Sequence, residues 1–408
     1  MKLLVQKFLE TKTFADLEKQ HGVYCRFSNS GHKFSLNYDT IEAKESDPLA
    51  QECRGLVLAK HDGSIMDATI DSKGKPSRGN VCPGETTILA YPMHRFFNAQ
   101  QSSAAQVNWN DPKLEVLEKL DGTCIIVYFD HFTNQWCAAT RAVCEADLLM
   151  DNGLMTFRQL FEKALFETTS LSFDDFTSNL KTAFTYCFEL TSPLNKVVCS
   201  YPDYKVTLIA VRNVTTHLEM DPKSCNIVTL GMVPVAKSYQ NRTLEEIMEW
   251  VSALNPLEYE GVIVKDSNFN RIKVKNPAYL SFNRLHDTLG KSPRNCLELI
   301  LLEKDDDAIS FLPYEIADNL TSIKQKYKIW LEKEEIRYSA VYYEAKSIMP
   351  NDKKTFALTM NKYGNVFKAA YFNIFDGKST SIKDFIQKSK KDGTWTNSFL
   401  DGILSVIS

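Results

Sequence analysis

Short apolar runs alternate with turn-forming residues between about residues 50 and 280 of this chain. The clearest runs are GLVLA (55–59), CIIVYF (124–129), QWCAATRA (135–142), FTYCFEL (184–190), KVTLIAVRN (205–213), GVIVK (261–265) and RIKVK (271–275). Runs of this length, rich in β-branched and aromatic residues, are typical of strands. Because few helical segments separate them, the pattern predicts an α+β domain built on mostly antiparallel sheet.

Apolar residues spaced three and four apart predict two helices within this region. The segments are LMTFRQLFEKALFE, from Leu154 to Glu167, and LEEIMEWVSAL (244–254), which has Thr243 or Asn241 as its N-cap. The first twenty residues predict a further amphipathic helix, with buried positions at Leu3, Phe8, Phe14 and Leu17.

The pattern changes after about residue 281, where strand signals become weak. The segment SIKQKYKIWLEKEEIRYSAVYYEAK (322–346) predicts a long amphipathic helix, with apolar residues at positions 323, 327, 330, 331, 338, 341, 342 and 345. The sequence Pro350-Asn351-Asp352 breaks the chain after it, and SIKDFIQKSKK (381–391) predicts another helix. We therefore predict an α+β domain at residues 1–280 and an all-helical C-terminal domain at residues 281–408.

The composition is that of a globular protein. The chain has 408 residues, of which 44% are hydrophobic and 24% charged, with a formal net charge of -3. A nucleic-acid partner would therefore have to be held by a local basic patch. Charges at Lys2, Lys7 and Glu10 interrupt any signal-peptide core, and no window is apolar enough for a membrane span. These features predict a cytoplasmic protein without a membrane partner.

The ten cysteines are scattered and form no C-x-x-C pair. This spacing argues against a structural zinc site and against a small disulfide scaffold. Several cysteines lie inside apolar strand-like runs, where a thiol packs as a small hydrophobic group.

One short motif suggests chemistry. Lys119 opens a K-x-D-G sequence that ends at Gly122, directly before the apolar run CIIVYF. An Asp-Gly pair favours a tight turn, which would leave Lys119 projecting from a loop. The motif alone is weak, because a lysine before a turn is usually a solvated side chain.

The order of the surrounding motifs is much more informative. The series reads ECRGLVLA (52–59), YPMHRFFN (91–98), EKLDGTC (118–124), TRA (140–142), YCFELTSPLNKVV (186–198), YEGVIVKD (259–266) and RIKVKN (271–276). Over most of residues 30–280 this series resembles the covalent nucleotidyltransferase superfamily of polynucleotide ligases and capping enzymes. Within that superfamily it is similar to the family of bacteriophage T4 RNA ligase 1.

The resemblance implies an ATP-dependent RNA ligase in which Lys119 is the nucleophile. It would take AMP from ATP as a lysyl-AMP, pass the AMP to a 5′-phosphate RNA end, and let a 3′-hydroxyl displace it. An ordinary lysine has a pKa of about 10.4 and is almost wholly protonated at neutral pH. Lys273 and Lys275 point to one face of a strand, so we expect them to lower the pKa of Lys119 and to neutralise phosphate charge. The alternative is the exposed face of an edge strand.

Two carboxylates are expected at the same site. Glu189 lies within FTYCFEL and Glu260 opens GVIVK, and an unpaired acid beside such apolar runs is costly. By resemblance Glu189 contacts the ribose or a metal, and Glu260 helps to bind a divalent cation. Mg²⁺ is expected, with Mn²⁺ as an alternative. Pairing with a nearby Arg or Lys is the structural alternative for either acid.

The remaining expected nucleotide contacts come from the resemblance. They are Arg54, Arg95, Phe97, Glu118 through its backbone, Gly122, where the backbone approaches the nucleotide, and Arg141. Arg95 and Arg141 stand where the family usually has lysine, and the two residue types differ at close phosphate contacts.

Other functions stay open at this point. A DNA ligase or a GTP-dependent mRNA capping guanylyltransferase shares the lysine, although an OB-fold normally follows it there and helices are predicted here. A binding module that has lost catalysis is a third reading. The resemblance further implies a phage enzyme of RNA or tRNA repair that acts in the host cytoplasm as a monomer, with nicked tRNA as a candidate substrate. Because the sequence has no P-loop, a separate polynucleotide kinase-phosphatase is expected to prepare the RNA ends. The segment 71–84, with Lys73, Lys75 and Arg78, is more typical of a solvated loop than of an RNA contact.

Overall fold

A computed structural model describes residues 2–70, 74–150, 155–240, 242–280, 292–301, 314–363, 367–391 and 397–407. The chain divides into two compact units, Met1–Leu280 and Ser281–Ser408. Lys73 and Asn241, and the start of the predicted helix at Leu154, lie outside the described residues.

Strands are confined to the first unit in the described part of the chain. In chain order they are β1 Val23–Phe27, β2 Lys33–Tyr38, β3 Arg54–Lys60, β4 Thr69–Ile70, β5 Pro76–Ser77, β6 Thr86–Ala90, β7 Phe97–Asn98, β8 Glu115–Glu118, β9 Thr123–Asp130, β10 Gln135–Thr140, β11 Phe184–Thr191, β12 Lys205–Asn213, β13 Glu219–Met220, β14 Ser238–Tyr239, β15 Gly261–Lys265 and β16 Arg271–Lys275. All seven predicted strands are present, which confirms that part of the sequence interpretation.

The strands form three larger sheets and one small hairpin. The first sheet has the order β1-β2-β3-β6, the second β10-β9-β11-β12-β13 and the third β14-β8-β15-β16-β7, while β4 pairs with β5. Every pairing is antiparallel except that of β7 with β16. The predicted class, a mostly antiparallel α+β domain, is confirmed.

The helices flank these sheets in the first unit and make up the described secondary structure of the second. In chain order they are α1 Leu4–Leu9, α2 Phe14–His21, α3 Pro48–Glu52, α4 Phe157–Thr169, α5 Phe173–Thr177, α6 Asn226–Thr229, α7 Leu244–Ser252, α8 Pro293–Leu301, α9 Tyr314–Ile348, α10 Lys353–Asn361, α11 Lys368–Phe375, α12 Ile382–Lys391 and α13 Asn397–Ile407. Thr243 caps α7, as predicted for one of its two candidate caps.

The first sheet lies against the second, and their alternating side chains explain the apolar runs. In β3, Leu56 and Leu58 pack toward α1 to α3, whereas Val57 and Ala59 pack against β9 and β11. In the same way β9 directs alternate residues toward α4 and α5 and toward the first sheet. Strands buried on both faces read as continuous apolar segments rather than alternating ones.

The prediction of one N-terminal helix is wrong. The structure has two helices, α1 and α2, because Thr13 starts a new one. Its side chain accepts a hydrogen bond from the backbone N–H of Asp16, and the Asp16 carboxylate accepts one from the backbone N–H of Thr13. This reciprocal pair is a capping box, which stabilises a helix start. Leu3, Phe14 and Leu17 are buried as predicted, and Phe8 is partly buried.

The second unit is helical wherever the structure describes it. The predicted long helix corresponds to α9, which places Ile323, Tyr327, Val341 and Ala345 in a buried cluster. The predicted break at residues 350–352 is followed by α10, and the side chain of Asp352 caps the N-terminus of this helix. The all-helical character predicted for this region is therefore confirmed.

Two negative predictions concern membranes and thiols. No helix in the described parts of the chain is both long and apolar enough to cross a membrane. None of the ten cysteines, all of which lie in the described ranges, forms a disulfide, and six of them are buried. Their packing agrees with the interpretation of the thiols as small core side chains.

Candidate active site

Lys119 lies in the short loop that leaves the third sheet and enters the second. The loop joins β8, which ends at Glu118, to β9, which begins at Thr123. The backbone N–H of Lys119 donates to the carbonyl oxygen of Gly261 at 2.9 Å, at the start of β15. The lysine is thereby positioned beside Glu260, the residue that precedes this strand.

The Asp121 side chain holds this loop in place through hydrogen bonds. One carboxylate oxygen accepts the backbone N–H groups of Val198 and Cys199 at 2.9 and 2.8 Å, and the other accepts the hydroxyl of Tyr279 at 2.7 Å. The side chain is buried, with 4% of its surface exposed. All of these bonds are internal, so Asp121 holds the loop rather than a ligand.

Gly122 makes the close turn into the second sheet possible. Its N–H donates to a carboxylate oxygen of Glu189 at 3.1 Å. A Cβ at this position would lie 2.2 Å from the carbonyl oxygen of Leu190. Gly122 thus lies close to the neighbouring strand β11, and it also lines the cavity in which a nucleotide contact is predicted.

Glu260 bridges two of the predicted lysines. Its carboxylate oxygens lie 2.5 Å from Lys119 Nζ and 2.7 Å from Lys275 Nζ. Burial acts to lower the pKa of Lys119, but the carboxylates of Glu260 and Glu189 outweigh it, so this pKa is raised above its ordinary value. The expected lowering by Lys273 and Lys275 is therefore not found here. The two carboxylates therefore favour the ammonium form of Lys119.

Lys273 is a cation whose pKa is lowered by its surroundings. Its Nζ lies 4.6 Å from the centre of the Phe96 ring. Burial, followed by repulsion from Arg54, Lys119 and Lys275, lowers the pKa of Lys273 to about 6. At neutral pH this lysine is mostly neutral, and an arriving phosphate would favour its charged form.

Replacing Lys273 by methionine should stabilise the protein. The folded-state pKa lies below that of the unfolded chain, so the unfolded chain binds more protons between about pH 6 and pH 10 and wild-type stability rises with pH across that interval. The variant lacks this dependence. We expect Lys273→Met to raise the free energy of unfolding by about 1–3 kcal/mol at pH 7.

Thermal unfolding of both proteins at pH 7 and pH 9.5 checks this expectation. The difference in melting temperature should shrink at the higher pH. The prediction would be contradicted if the variant melted below the wild type at pH 7, or if the difference in melting temperature were the same at both pH values. Either result would show that burying Lys273 does not destabilise the folded protein. Lys113→Met, on an exposed lysine, should show neither the gain nor the pH trend.

Glu189 supplies the second carboxyl group. Burial, reinforced by the nearby Cys124 thiol and opposed by Lys119, raises the pKa of Glu189 to about 8. The described residues contain no cluster of three or more His, Cys, Asp or Glu side chains arranged to hold a metal. Two carboxylates nevertheless suit Mg²⁺, which commonly takes one or two acids and completes its shell with waters and substrate phosphates.

These groups surround a cavity of about 620 Å³. Eight predicted residues line it: Arg54, Glu118, Lys119, Gly122, Arg141, Glu189, Lys273 and Lys275. Glu260 is buried behind the lysines, with 3% of its side chain exposed. The chain thus brings together residues separated by more than two hundred positions, on three different sheets and their loops.

Arg95 and Phe97 lie elsewhere. Both line a separate cavity, in which the Arg95 guanidinium is 4.2 Å from the centre of the Tyr38 ring and 5.1 Å from that of Phe97. Phe96 lines both cavities. Neighbouring residues of an extended segment point to opposite faces, so the pairing of β7 with β16 places Phe96, not Phe97, beside Lys273.

Sequence reasoning missed several other cavity residues. Among them are Tyr24 and Asn37, on strands that were not predicted, and Phe96. The alternation in FSLNY was available as a strand signal for β2. The register that brings these strands together was not readable from the sequence.

Comparison with known proteins identifies the family of this chain. A family model described as RNA ligase, of the T4 RNA ligase 1 type, matches residues 52–279. An RNA ligase of Rhodothermus phage RM378 is 24% identical over 436 residues, covering 91% of this chain and 90% of that protein.

Two further similarities are more partial. A protein of Autographa californica nuclear polyhedrosis virus, named as a candidate bifunctional polynucleotide kinase/RNA ligase, is 26% identical and covers 68% of this chain, which spans 37% of its length. The structure of an archaeal ATP-dependent RNA ligase covers 76% of this chain and 74% of its own, at 14% identity and a TM-score of 0.40. A superposition this loose supports no argument about ligands.

Proposed function

Since the chain belongs to the RNA ligase family whose model matches residues 52–279, we propose that it is an ATP-dependent RNA ligase that works through a lysyl-AMP at Lys119. It joins a 3′-hydroxyl to a 5′-phosphate after the AMP has passed from the lysine to the 5′-phosphate end. The observation that carries the proposal is the Lys119–Glu260–Lys275 bridge beside Lys273 in one cavity.

The cavity suits a nucleotide in size and charge. Its volume of about 620 Å³ lies within the range of small-molecule sites. Arg54, Arg141 and Lys275 supply positive charge along its walls, and Phe96 supplies an apolar ring. Lys273 would add a further positive charge once a phosphate favours its charged form. Such fixed donors stabilise charge that develops on phosphate oxygens without having to reorganise.

The first step forms a bond between Lys119 Nζ and the α-phosphorus and breaks the bond from that phosphorus to the bridging oxygen of pyrophosphate. Lys119 must release a proton to solvent before it attacks, because Glu260 favours its charged form. Glu260 and Glu189 would hold a divalent cation, Mg²⁺ or Mn²⁺, which would supply positive charge for the phosphates and offset the negative charge that favours the protonated lysine. Lys119 would then be left among cations, in surroundings that lower its pKa.

The wider role follows the same proposal. The substrates are RNA ends with a 5′-phosphate and a 3′-hydroxyl, for which nicked tRNA is the candidate, and the helical unit would contribute to substrate choice. The ends must be healed beforehand by a kinase-phosphatase. The name of the nuclear polyhedrosis virus relative places a kinase and a ligase in one protein, whereas the healing enzyme proposed here is a separate protein.

Labelling of the wild-type protein tests the proposal. Purified protein is incubated with Mg²⁺ and α-³²P-ATP or α-³²P-GTP and separated on a denaturing gel. Label from ATP alone, followed by its transfer to 5′-phosphorylated RNA and sealing, is the expected result. Label from GTP would favour a capping enzyme, and sealing of DNA but not RNA ends would favour a DNA ligase. No label from folded protein freed of bound AMP by pyrophosphate would overturn the proposal.

A further inference from the structure

Three polar residues form a row across the first sheet at one end of the cavity. Asn37 of β2 lies opposite Tyr24 of β1 and opposite Arg54 of β3 in the strand registers. All three line the cavity, although only Arg54 was expected from the sequence. Side chains opposite each other on neighbouring strands lie about 5 Å apart, so the row presents one continuous polar surface.

Two buried atoms of this row have no hydrogen-bond partner. They are the Oδ1 oxygen of Asn37 and the Nη1 nitrogen of Arg54. Asn37 is buried, with 8% of its surface exposed, and its amide nitrogen donates to the Tyr24 hydroxyl at 2.7 Å. A buried polar group without a partner is costly, and buried polar atoms are normally paired. An unpaired guanidinium nitrogen and an unpaired carboxamide oxygen, on two residues that line one cavity, therefore indicate a ligand.

The two unpaired atoms are complementary to different chemical groups of a ligand. Arg54 Nη1 is a donor and is complementary to a phosphate oxygen. The Asn37 oxygen is an acceptor and needs a donor from the ligand. Because the Tyr24 hydroxyl can itself donate or accept, the carboxamide could also present its nitrogen to the cavity. A ligand hydroxyl satisfies either arrangement, since it is both donor and acceptor.

A hydroxyl beside a phosphate is the signature of a ribonucleotide. We propose that Tyr24 and Asn37 form a ribose-hydroxyl subsite next to the phosphate-binding Arg54, and that Asn37 contributes to the choice of ribose over deoxyribose. A 2′-hydroxyl is the group by which proteins distinguish RNA from DNA at a given position. The inference rests on the proposed function, because it requires a nucleotide or RNA end in this cavity.

The hydroxyl has two possible sources, the ribose of ATP and the terminal ribose of the RNA that supplies the 3′-hydroxyl. In one arm, the rate of protein labelling is compared for ATP and 2′-deoxy-ATP. In the other, RNA already carrying AMP on its 5′-phosphate is sealed to acceptors that end in a ribonucleotide or in a 2′-deoxyribonucleotide. Each arm is run with the wild type, Asn37→Leu, Tyr24→Phe and the control Asn110→Leu, whose exposed side chain lies outside the cavity.

We expect the wild type to prefer the ribose substrate by about 3–10-fold in one arm, the effect of one neutral hydrogen bond. Asn37→Leu should reduce that ratio to nearly one, mainly by slowing the ribose substrate, while Tyr24→Phe reduces it partly and Asn110→Leu leaves it unchanged. The arm in which the ratio collapses identifies the source of the hydroxyl. A folded Asn37→Leu variant that keeps the wild-type ratio in both arms would overturn the inference. Absence of wild-type labelling would instead count against the proposed function.

Discussion

Lys119→Ala should form no protein–AMP adduct, a loss of at least about 10⁴-fold in the rate of labelling from ATP. Lys119 is the lysine that the loop from β8 to β9 projects toward Glu260. Lys119→Arg should be equally inactive, because a guanidinium stays protonated at any pH the protein tolerates. The measurement is the labelling experiment with α-³²P-ATP and Mg²⁺.

Sealing of RNA that already bears AMP tests whether the Lys119→Ala variant is folded. RNA that already bears AMP on its 5′-phosphate bypasses the lysyl-AMP, so Lys119→Ala should still seal it at a rate within about tenfold of the wild type. Lys113→Ala, on an exposed lysine six residues earlier, should label normally. If Lys119→Ala formed the adduct, the nucleophile would be another residue. If it failed on both substrates, the lysine would serve binding or folding rather than the covalent step.

The sequence predicted those elements whose local pattern agrees with their packing. β9, β11, β12, β15 and β16 are apolar runs bounded by turn residues, and each occurs within two residues of its predicted range. The short or more polar strands β1, β2 and β8 were missed, because a half-polar strand of four to six residues resembles a loop when its partners are unknown. The N-terminal helix was predicted too long, because the apolar spacing continues across the capping box at Thr13.

For the site, the motifs predicted which residues meet but not how their charges interact. Lys119, Glu260, Lys273 and Lys275 do share one cavity or its wall. That Glu260 bridges two lysines, and so raises the pKa of Lys119, depends on distances of 2.5 and 2.7 Å that no spacing along the chain encodes. Phe96 and Phe97 are neighbours in the sequence, so only the register of β7 with β16 decides which of them reaches the cavity.

Glu260→Gln should slow formation of the protein–AMP adduct by about 10²–10³-fold at saturating ATP. The substitution removes a buried negative charge that two lysines share, while glutamine keeps the length and can still accept a hydrogen bond. If the carboxylate is needed to hold a divalent cation, the variant should also need more Mg²⁺ for half-maximal labelling. Glu162→Gln, on a partly exposed helix position paired with Arg158, is the matched control.

The pH profile separates this role from a simpler one. Glu260 raises the pKa of Lys119 before the nucleotide binds, so its neutralisation should lower that pKa and move the rising limb of the pH profile of kcat/KM, which reports the free protein, to lower pH. Were Glu260 only a partner that keeps Lys119 protonated, the variant would label faster than the wild type at neutral pH, because more of the amine would be free. We expect the limb to move and the maximum rate to fall together. Both effects are expected together only if Glu260 stabilises the charged form of Lys119 before the nucleotide binds and helps to hold the divalent cation afterwards.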